Sequence, residues 1–290
     1  MTRAFSVASW NVEHFGKYRK PRRVGSVVAF AAQQDSDILA IYEVENKRVF
    51  RPIIEAMPDY HFFITEGEQT QEILIGIRHG VSAYATQNLN FKSGQSTLRP
   101  GVLVTVHVDN AYYPVLFLHL KSMRDPRGFG LRHDMIRRAY DFQKTLTKAS
   151  KSLAKEAADF AGEPAPAQVP PVNYIFVGDL NTMGLDYYPR SKFDIQGEDE
   201  IAELRRFGRY RNMRLLEKNA PATYYKNSAS TKLLSNLDHV VAADHLQFEK
   251  FNGKDIDVRG WPGLATEAEK DEWTEKYSDH ALLYFEVQKV

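Results

Sequence analysis

The sequence predicts an α/β or α+β chain with more strands than helices, and three observations carry that expectation. Short apolar runs rich in β-branched and aromatic residues recur along the whole length, at residues 5–10, 38–42, 73–77, 102–108, 115–120, 174–177, 239–242 and 281–287. Several are continuous rather than alternating, as strands covered on both faces should be. Only two segments carry a helical period: residues 24–34, and a longer stretch from about Leu131 to Phe160 with Ile136, Tyr140, Leu146 and Leu153 near one face. Finally, 43% apolar and 12% aromatic residues in a chain of 290 suffice to bury a substantial core, and 26% charged residues give no sign of general disorder.

Helix 24–34 starts just after Pro21 and stops before the polar Asp35–Ser36–Asp37. The stretch GEPAPAQVPP (162–171) holds four prolines and reads either as an interdomain linker or as a surface loop. The loop is preferred, because chemically interesting residues fall on both sides of it and must meet. A single domain over 1–290 is therefore expected. Residues 186–211, charged and turn-rich, read as an excursion over the surface.

The formal net charge of +1 removes a global field that would draw in polyanions, so any such binding must come from local patches. The absence of cysteine excludes disulfides, thiolate metal sites and a cysteine nucleophile. The opening MTRAFSVASWNVEHFG lacks a long apolar segment of the signal-peptide kind, and no run approaches the ~18–20 residues that span a bilayer. A soluble protein, cytoplasmic by default, is the expectation.

Six segments place polar groups at strand ends. In YIFVGDLNTM (174–183) an apolar strand delivers Gly178, Asp179 and then Asn181, where α/β folds carry reactive groups. An Asx turn would use the same residues. In YSDHALL (277–283), Asp279 and His280 precede the last strand; neighbours on an extended chain point oppositely, so they serve different atoms. SWNVEHF places Asn11 after a strand. DILAIYEVEN ends a strand at Glu43, a carboxylate that is costly there unless paired or metal-bound, with Glu45 its rival. VLFLHLKS (115–122) puts His119 inside a strand, and NLDHVVA (236–242) starts one at Asp238 and His239.

Read in order (WN, a strand-end E, HLKS, GDLN, LDH, SDH), the six segments resemble the endonuclease/exonuclease/phosphatase superfamily. That group includes deoxyribonuclease-I-like nucleases, abasic-site endonucleases, neutral sphingomyelinases and inositol-phosphate phosphatases. The resemblance spans Ser6 to Phe285. It implies a four-layered sandwich, two mixed β-sheets packed face to face between helices. It also implies a phosphoesterase that needs a divalent cation, with Mg²⁺ or Mn²⁺ suited to oxygen ligands. Glu43 would be the central metal ligand, with Asn11 beside it and Asp279 completing the set. His280 matches the general base or a phosphate-contacting group, with Asp238 holding its ring. Asp179 would position or deprotonate the attacking water, and Asn181 would donate to a phosphate oxygen. His119 matches a second phosphate-contacting histidine, and Glu72, opening the strand EILIGI, sits where that histidine's carboxylate partner lies. The abasic-endonuclease branch carries arginine where this chain has Asn236 and lacks a histidine at His119; both differences point away from that branch. No role is assigned to His14 or His239.

Basic residues cluster at 17–23 (KYRKPRR), 121–138 and 205–214. The first two follow strands that carry site residues and would suit phosphate-backbone contacts, with Tyr18 and Phe129 available to stack on bases. A nuclease acting on DNA or RNA is therefore the leading expectation. A phosphatase or phospholipase-C-like enzyme on a small or lipid phosphoester is the alternative, and a catalytically silent protein of the same fold is the third. No obligate protein partner is indicated.

Overall fold

A computed structural model describes residues 2–17, 23–67, 71–92, 95, 98–187, 194–230 and 234–290. In chain order its strands are β1 (Arg3–Phe15), β2 (Ile38–Val44), β3 (Tyr60–Ile64), β4 (Glu72–Arg78), β5 (Ala83–Asn88), β6 (Gly101–Val108) and β7 (Ala111–His119). There follow β8 (Ile175–Asp179), β9 (Met213–Leu215), β10 (Tyr224–Tyr225), β11 (Leu234–Ser235), β12 (Asp238–Ala243), β13 (Asp257–Arg259) and β14 (Leu282–Gln288). The α-helices are α1 (Arg23–Gln33), α2 (Phe50–Ala56), α3 (Pro126–Ala161), α4 (Gly197–Arg209) and α5 (Glu267–Lys276). Each of the eight apolar runs falls on a strand.

Two six-stranded sheets result, in the orders β13-β14-β1-β2-β4-β3 and β5-β6-β7-β8-β12-β9. Both are mixed: β1 runs parallel to β2 in the first, and β7 parallel to β8 in the second. One apolar cluster joins Val7, Ile41 and Phe285 of the first sheet to Val104, Phe117, Val177 and Val240 of the second, so the sheets pack face to face. The outer face of the second sheet (Leu116, Leu118, Phe176, Val241) meets Met135 and Tyr140 of α3 and Leu204 of α4. On the other side α1 buries Val24, Val27, Val28 and Ala31, and the indoles of Trp10 and Trp273 of α5 lie 6.1 Å apart. Helices, sheet, sheet and helices make the four layers. A strand with core on both faces has no polar side, which explains the continuous apolar runs.

Asp125 caps α3 by accepting from the Gly128 amide at 2.9 Å, and Gly162 ends it in the left-handed conformation at φ 71°. Residues 163–171 then form a loop. The stretch 186–211 departs from the expected surface excursion, because α4 occupies 197–209 and buries Ile201 and Leu204. Helices α2 and α5 were also not foreseen. The Thr266/Glu269 capping box of α5 was the legible sign, with the Thr266 hydroxyl accepting from the Glu269 amide. Among the described residues, no helix is long and apolar enough to cross a membrane.

One polar clamp holds the second sheet's outer layer to the loops that leave it. The fully buried guanidinium of Arg132 donates to Glu200 at 3.2 and 3.0 Å, to the Gly184 carbonyl at 2.8 Å, and to the carbonyls of Lys121 and Met123. Replacing Arg132 by Met strands the buried Glu200 carboxylate, and urea unfolding should show a loss of about 3–5 kcal/mol. The double variant Arg132→Met/Glu200→Met should recover most of that loss.

Candidate active site

The strand directions decide where the polar residues go. The carboxyl ends of β1, β2, β7 and β8 open on one edge of the sandwich, and the antiparallel β4, β12 and β14 begin at that same edge. Asn11, Glu43, His119, Asp179, Asp238, Asp279 and His280 therefore converge there. A cleft of about 500 Å³ opens between the sheets, lined among others by Glu43, His119, Asp179, Asn181, Asp279 and His280.

Local backbone distortions aim these side chains. The β1–β2 register shifts between Asn11 and Phe15, and the β2–β4 register shifts between Ile41 and Val44. Such bulges re-aim a side chain at a strand end. Glu43 has φ 65° and Asn181 φ 51°. For a glutamate this is an uncommon and strained conformation, and strain of this kind collects at functional sites. Gly178, at φ 147°, is required for packing: a Cβ there would lie 1.9 Å from the Leu118 carbonyl oxygen.

Asp179 Oδ2 is the focus of the site. Asn11 Nδ2 donates to it at 2.9 Å, with His119 Nε2 at 3.5 Å and His280 Nε2 at 3.8 Å. Its other oxygen accepts from the Asn181 amide at 3.0 Å. Burial pushes this carboxyl up to about 7, partly offset by the charge of His280. His280 Nδ1 meets Asp238 Oδ2 at 2.9 Å, and the Trp10 indole donates to the His280 carbonyl at 2.9 Å. Burial opposes charge on this imidazole, but Asp238, Asp179 and Asp279 outweigh it and hold it protonated well above the ordinary histidine range. His119 is the reverse case: burial keeps it neutral, far below that range, and the nearby Arg99 works the same way.

Glu43 accepts from Asn11 Nδ2 at 3.2 Å, from the His14 amide at 2.8 Å and from Gln71 Nε2 at 3.2 Å. Its rival Glu45 pairs with the His14 ring instead. Asp279, half-buried, is pushed up to about 6 by burial. Among the described residues, two groups bring ligand-type atoms within 4.8 Å of one another: Asp179, Asp238 and His280, and His14, Glu43 and Glu45.

Two expected contacts, those of Asn11 and Glu72, differ from the ones observed, and Asn181 keeps its expected donor. Asn11 turns its Nδ2 toward the acids while its Oδ1 accepts from the Glu13 amide at 3.0 Å. It is a donor to two carboxylates here, since an amide nitrogen offers a hard cation no lone pair. Glu72 does not pair with His119: its carboxylate takes the Thr65 hydroxyl, and His119 Nδ1 has no partner among the described residues. Asn181 Nδ2 spends one N–H on the Leu120 carbonyl at 3.1 Å, which leaves the second for the cleft.

The basic segments are largely spent elsewhere. Tyr18 and most of 17–23 lie outside the described residues, and Arg23 is buried, donating to the Glu13 carbonyl at 2.8 Å and the Val12 carbonyl at 2.9 Å. Of 121–138, Arg124 lines the cleft, Arg132 is the buried clamp, and Phe129 stacks on His133. In 205–214, Arg206, Arg211 and Arg214 pair with Glu203, Asp141 and Asp255. The cleft's other cations, Arg99 and Lys226, went unread in the sequence, as did Gln71 and Tyr224. Tyr224 sets its ring edge-on to His280 at 5.1 Å. None of these four closes an apolar run or falls in a basic cluster.

No protein-family model matches the sequence, and no curated protein matches it. Solved structures do. TDP2 of D. rerio, described as complexed with single strand DNA product, aligns with TM-score 0.64 at 15% identity over 98% of this chain and 99% of that one. Truncated Caenorhabditis elegans TDP2 gives 0.62 at 15% over 98% and 97%. An endonuclease/exonuclease/phosphatase family protein from Bacteroides thetaiotaomicron gives 0.56 at 13% over 98% and 97%. At such identities the likeness is one of architecture, and both chains of each pair are covered almost whole. Two stacked mixed sheets with a polar cleft at one edge are the endonuclease/exonuclease/phosphatase fold, and this chain has it.

Proposed function

We propose that the cleft hydrolyses phosphodiester bonds with the help of a divalent cation and that its substrate is a nucleic-acid strand. The observation that carries the reading is the surround of Asp179 Oδ2, where an acid, an amide and two imidazoles face one point while Asp238 orients His280 from behind.

The donor set fits a hard cation. Glu43 and Asp279 both bring carboxylate oxygens, the donors a hard cation takes, to one cleft. These two residues would hold the ion, with Mg²⁺ the best match and Mn²⁺ acceptable. When bound, it supplies Lewis-acid neutralisation of charge developing on the phosphoryl and leaving oxygens. The chain's own groups do the rest. Asp238 accepts the Nδ1 proton of His280 and so fixes the ring with Nε2 toward the cleft. The charged His280 and neutral His119 each present an N–H to phosphoryl oxygens, and the second N–H of Asn181 adds another. Asp179 accepts a proton from the attacking water, a role suited to a carboxyl raised toward neutrality. Arg99, Arg124 and Lys226 line the same cleft and suit the phosphates on either side of the scissile bond. The single strand DNA product in the D. rerio TDP2 structure supports the choice of nucleic acid.

A substrate panel with Mg²⁺, Mn²⁺ and EDTA tests this, comparing plasmid DNA, single-stranded DNA, RNA, sphingomyelin, a phosphoinositide and a bis-aryl phosphodiester. Cleavage of at least one nucleic acid, abolished by EDTA and restored by Mg²⁺, is expected; turnover confined to lipid head groups would replace the substrate, and metal-independent turnover would end the reading. Asp179→Asn and His280→Ala should each lower kcat by roughly 10²–10⁴-fold. Saturating Mg²⁺, at about 100 times its Kd, should stabilise the wild type by about 2.7 kcal/mol in thermal unfolding. Glu43→Gln should lose most of that stabilisation.

A further inference from the structure

Behind the catalytic wall lies a polar network that the mechanism above does not use. Lys218, on the chain leaving β9, directs its ammonium at three acceptors: Asn236 Oδ1, the Asp238 carbonyl, and His239 Nδ1 at 3.4 Å. Burial pushes this amine down to about 7, with Asp238 working the other way; in its ammonium form it has three protons and no lone pair, so this set uses it completely. All three acceptors belong to residues 236–239, the start of the strand that carries Asp238.

The proton positions follow from counting. The Thr182 hydroxyl donates its single proton to the Asn236 carbonyl at 2.7 Å. It must therefore accept at its contact with His239 Nε2, 2.8 Å away, and the imidazole proton sits on Nε2. That leaves Nδ1 as a lone pair, the group Lys218 needs. His239 is fully buried, and burial together with the Lys218 charge keeps it neutral, far below the usual histidine range. Side chains alternate along a strand, so His239 faces away from the cleft while Asp238 faces His280. Thr182 directly follows Asn181. Lys218, His239 and Thr182 thus link the loop bearing Asp179 and Asn181 to the strand bearing Asp238, on the side away from substrate.

We infer that Lys218 and His239 are positioning residues for the hydrolytic site, fixing Asp238 and Asn181 relative to one another through Thr182. The inference rests on the phosphodiesterase reading for its kinetic consequence, and on geometry alone for the network itself.

Two variants and one spectroscopic measurement test it. Lys218→Met keeps the stem and removes the charge; Thr182→Val keeps the volume and removes the hydroxyl. With Mg²⁺ and the phosphodiester that the wild type cleaves, both should lower kcat by up to about 10²-fold, the effect of a small misplacement, while KM stays within roughly twofold. A purely structural role would lower the melting temperature and leave the kcat of the folded protein alone. Nitrogen-15 spectra of the histidine rings supply a readout free of activity. Wild-type His239 should be one neutral tautomer protonated on Nε2 across pH 5.5–8, flanking the ordinary histidine value of about 6.5; Lys218→Met should shift it to the other tautomer or allow a second proton. Wild-type kcat in Lys218→Met, or a wild-type ring protonated on Nδ1, overturns the inference. A wild type that cleaves no phosphodiester defeats the function proposed above, and the ring spectra still decide the network.

Discussion

The rest of the molecule is arranged around the desolvation of carboxylates. Asp179 and Asp238 are buried, and Glu43 and Asp279 half-buried, at one edge of two stacked sheets. A lone buried carboxylate is costly, so each must find a donor or a counter-charge. Asn11 spans two of them, His280 serves a third, and Arg23 lends its charge to Asp279. What remains unbalanced appears as the raised proton affinities of Asp179 and Asp279. The left-handed backbone of Glu43 is held inside β2, which is paired with β1 and β4 on either side.

How much of this could be read from sequence depended on whether the signal was local. A strand with core on both faces must be apolar throughout, so β1, β2, β7, β8 and β14 announce themselves and their terminal acids stand out. Segments that bury one narrow stripe, such as α4 with Ile201 and Leu204, do not, and their charged faces resemble loop. Roles set across the sheet edge were least legible. Glu72 has the right position in the chain but turns to Thr65, because β3 and β4 run side by side there. Asn11 lies within β1 rather than after it, and which end of its amide faces the acids is set by the Glu13 amide, two residues along on a bulged strand. Arg99 belongs to the cleft only because of tertiary packing, and nothing around it in the sequence says so.

The distribution of cations follows the same logic. Most arginines in the three basic segments hold backbone carbonyls or pair with acids, as Arg23, Arg132 and Arg214 do. A basic stretch in sequence is therefore a poor guide to a binding face. The cations that line the cleft come singly from distant segments, and Arg99 carries a buried Nε with no partner among the described residues. A local rim of this kind is compatible with a net charge of +1, since focusing by a narrow low-dielectric cleft does not require a globally charged protein.

The bond from the Trp10 indole to the His280 carbonyl joins residues 270 positions apart. Its consequence is temporal. Contacts of such long separation form late, because the chain between them must first be ordered. On a ribosome, β1 is made first and waits unpaired on one side until β14, its antiparallel partner, emerges with His280 just ahead of it. Until then the chain holds acids without the imidazole that completes them. A centre divided between β1 and β14 is thus incomplete until both strands have been made and paired.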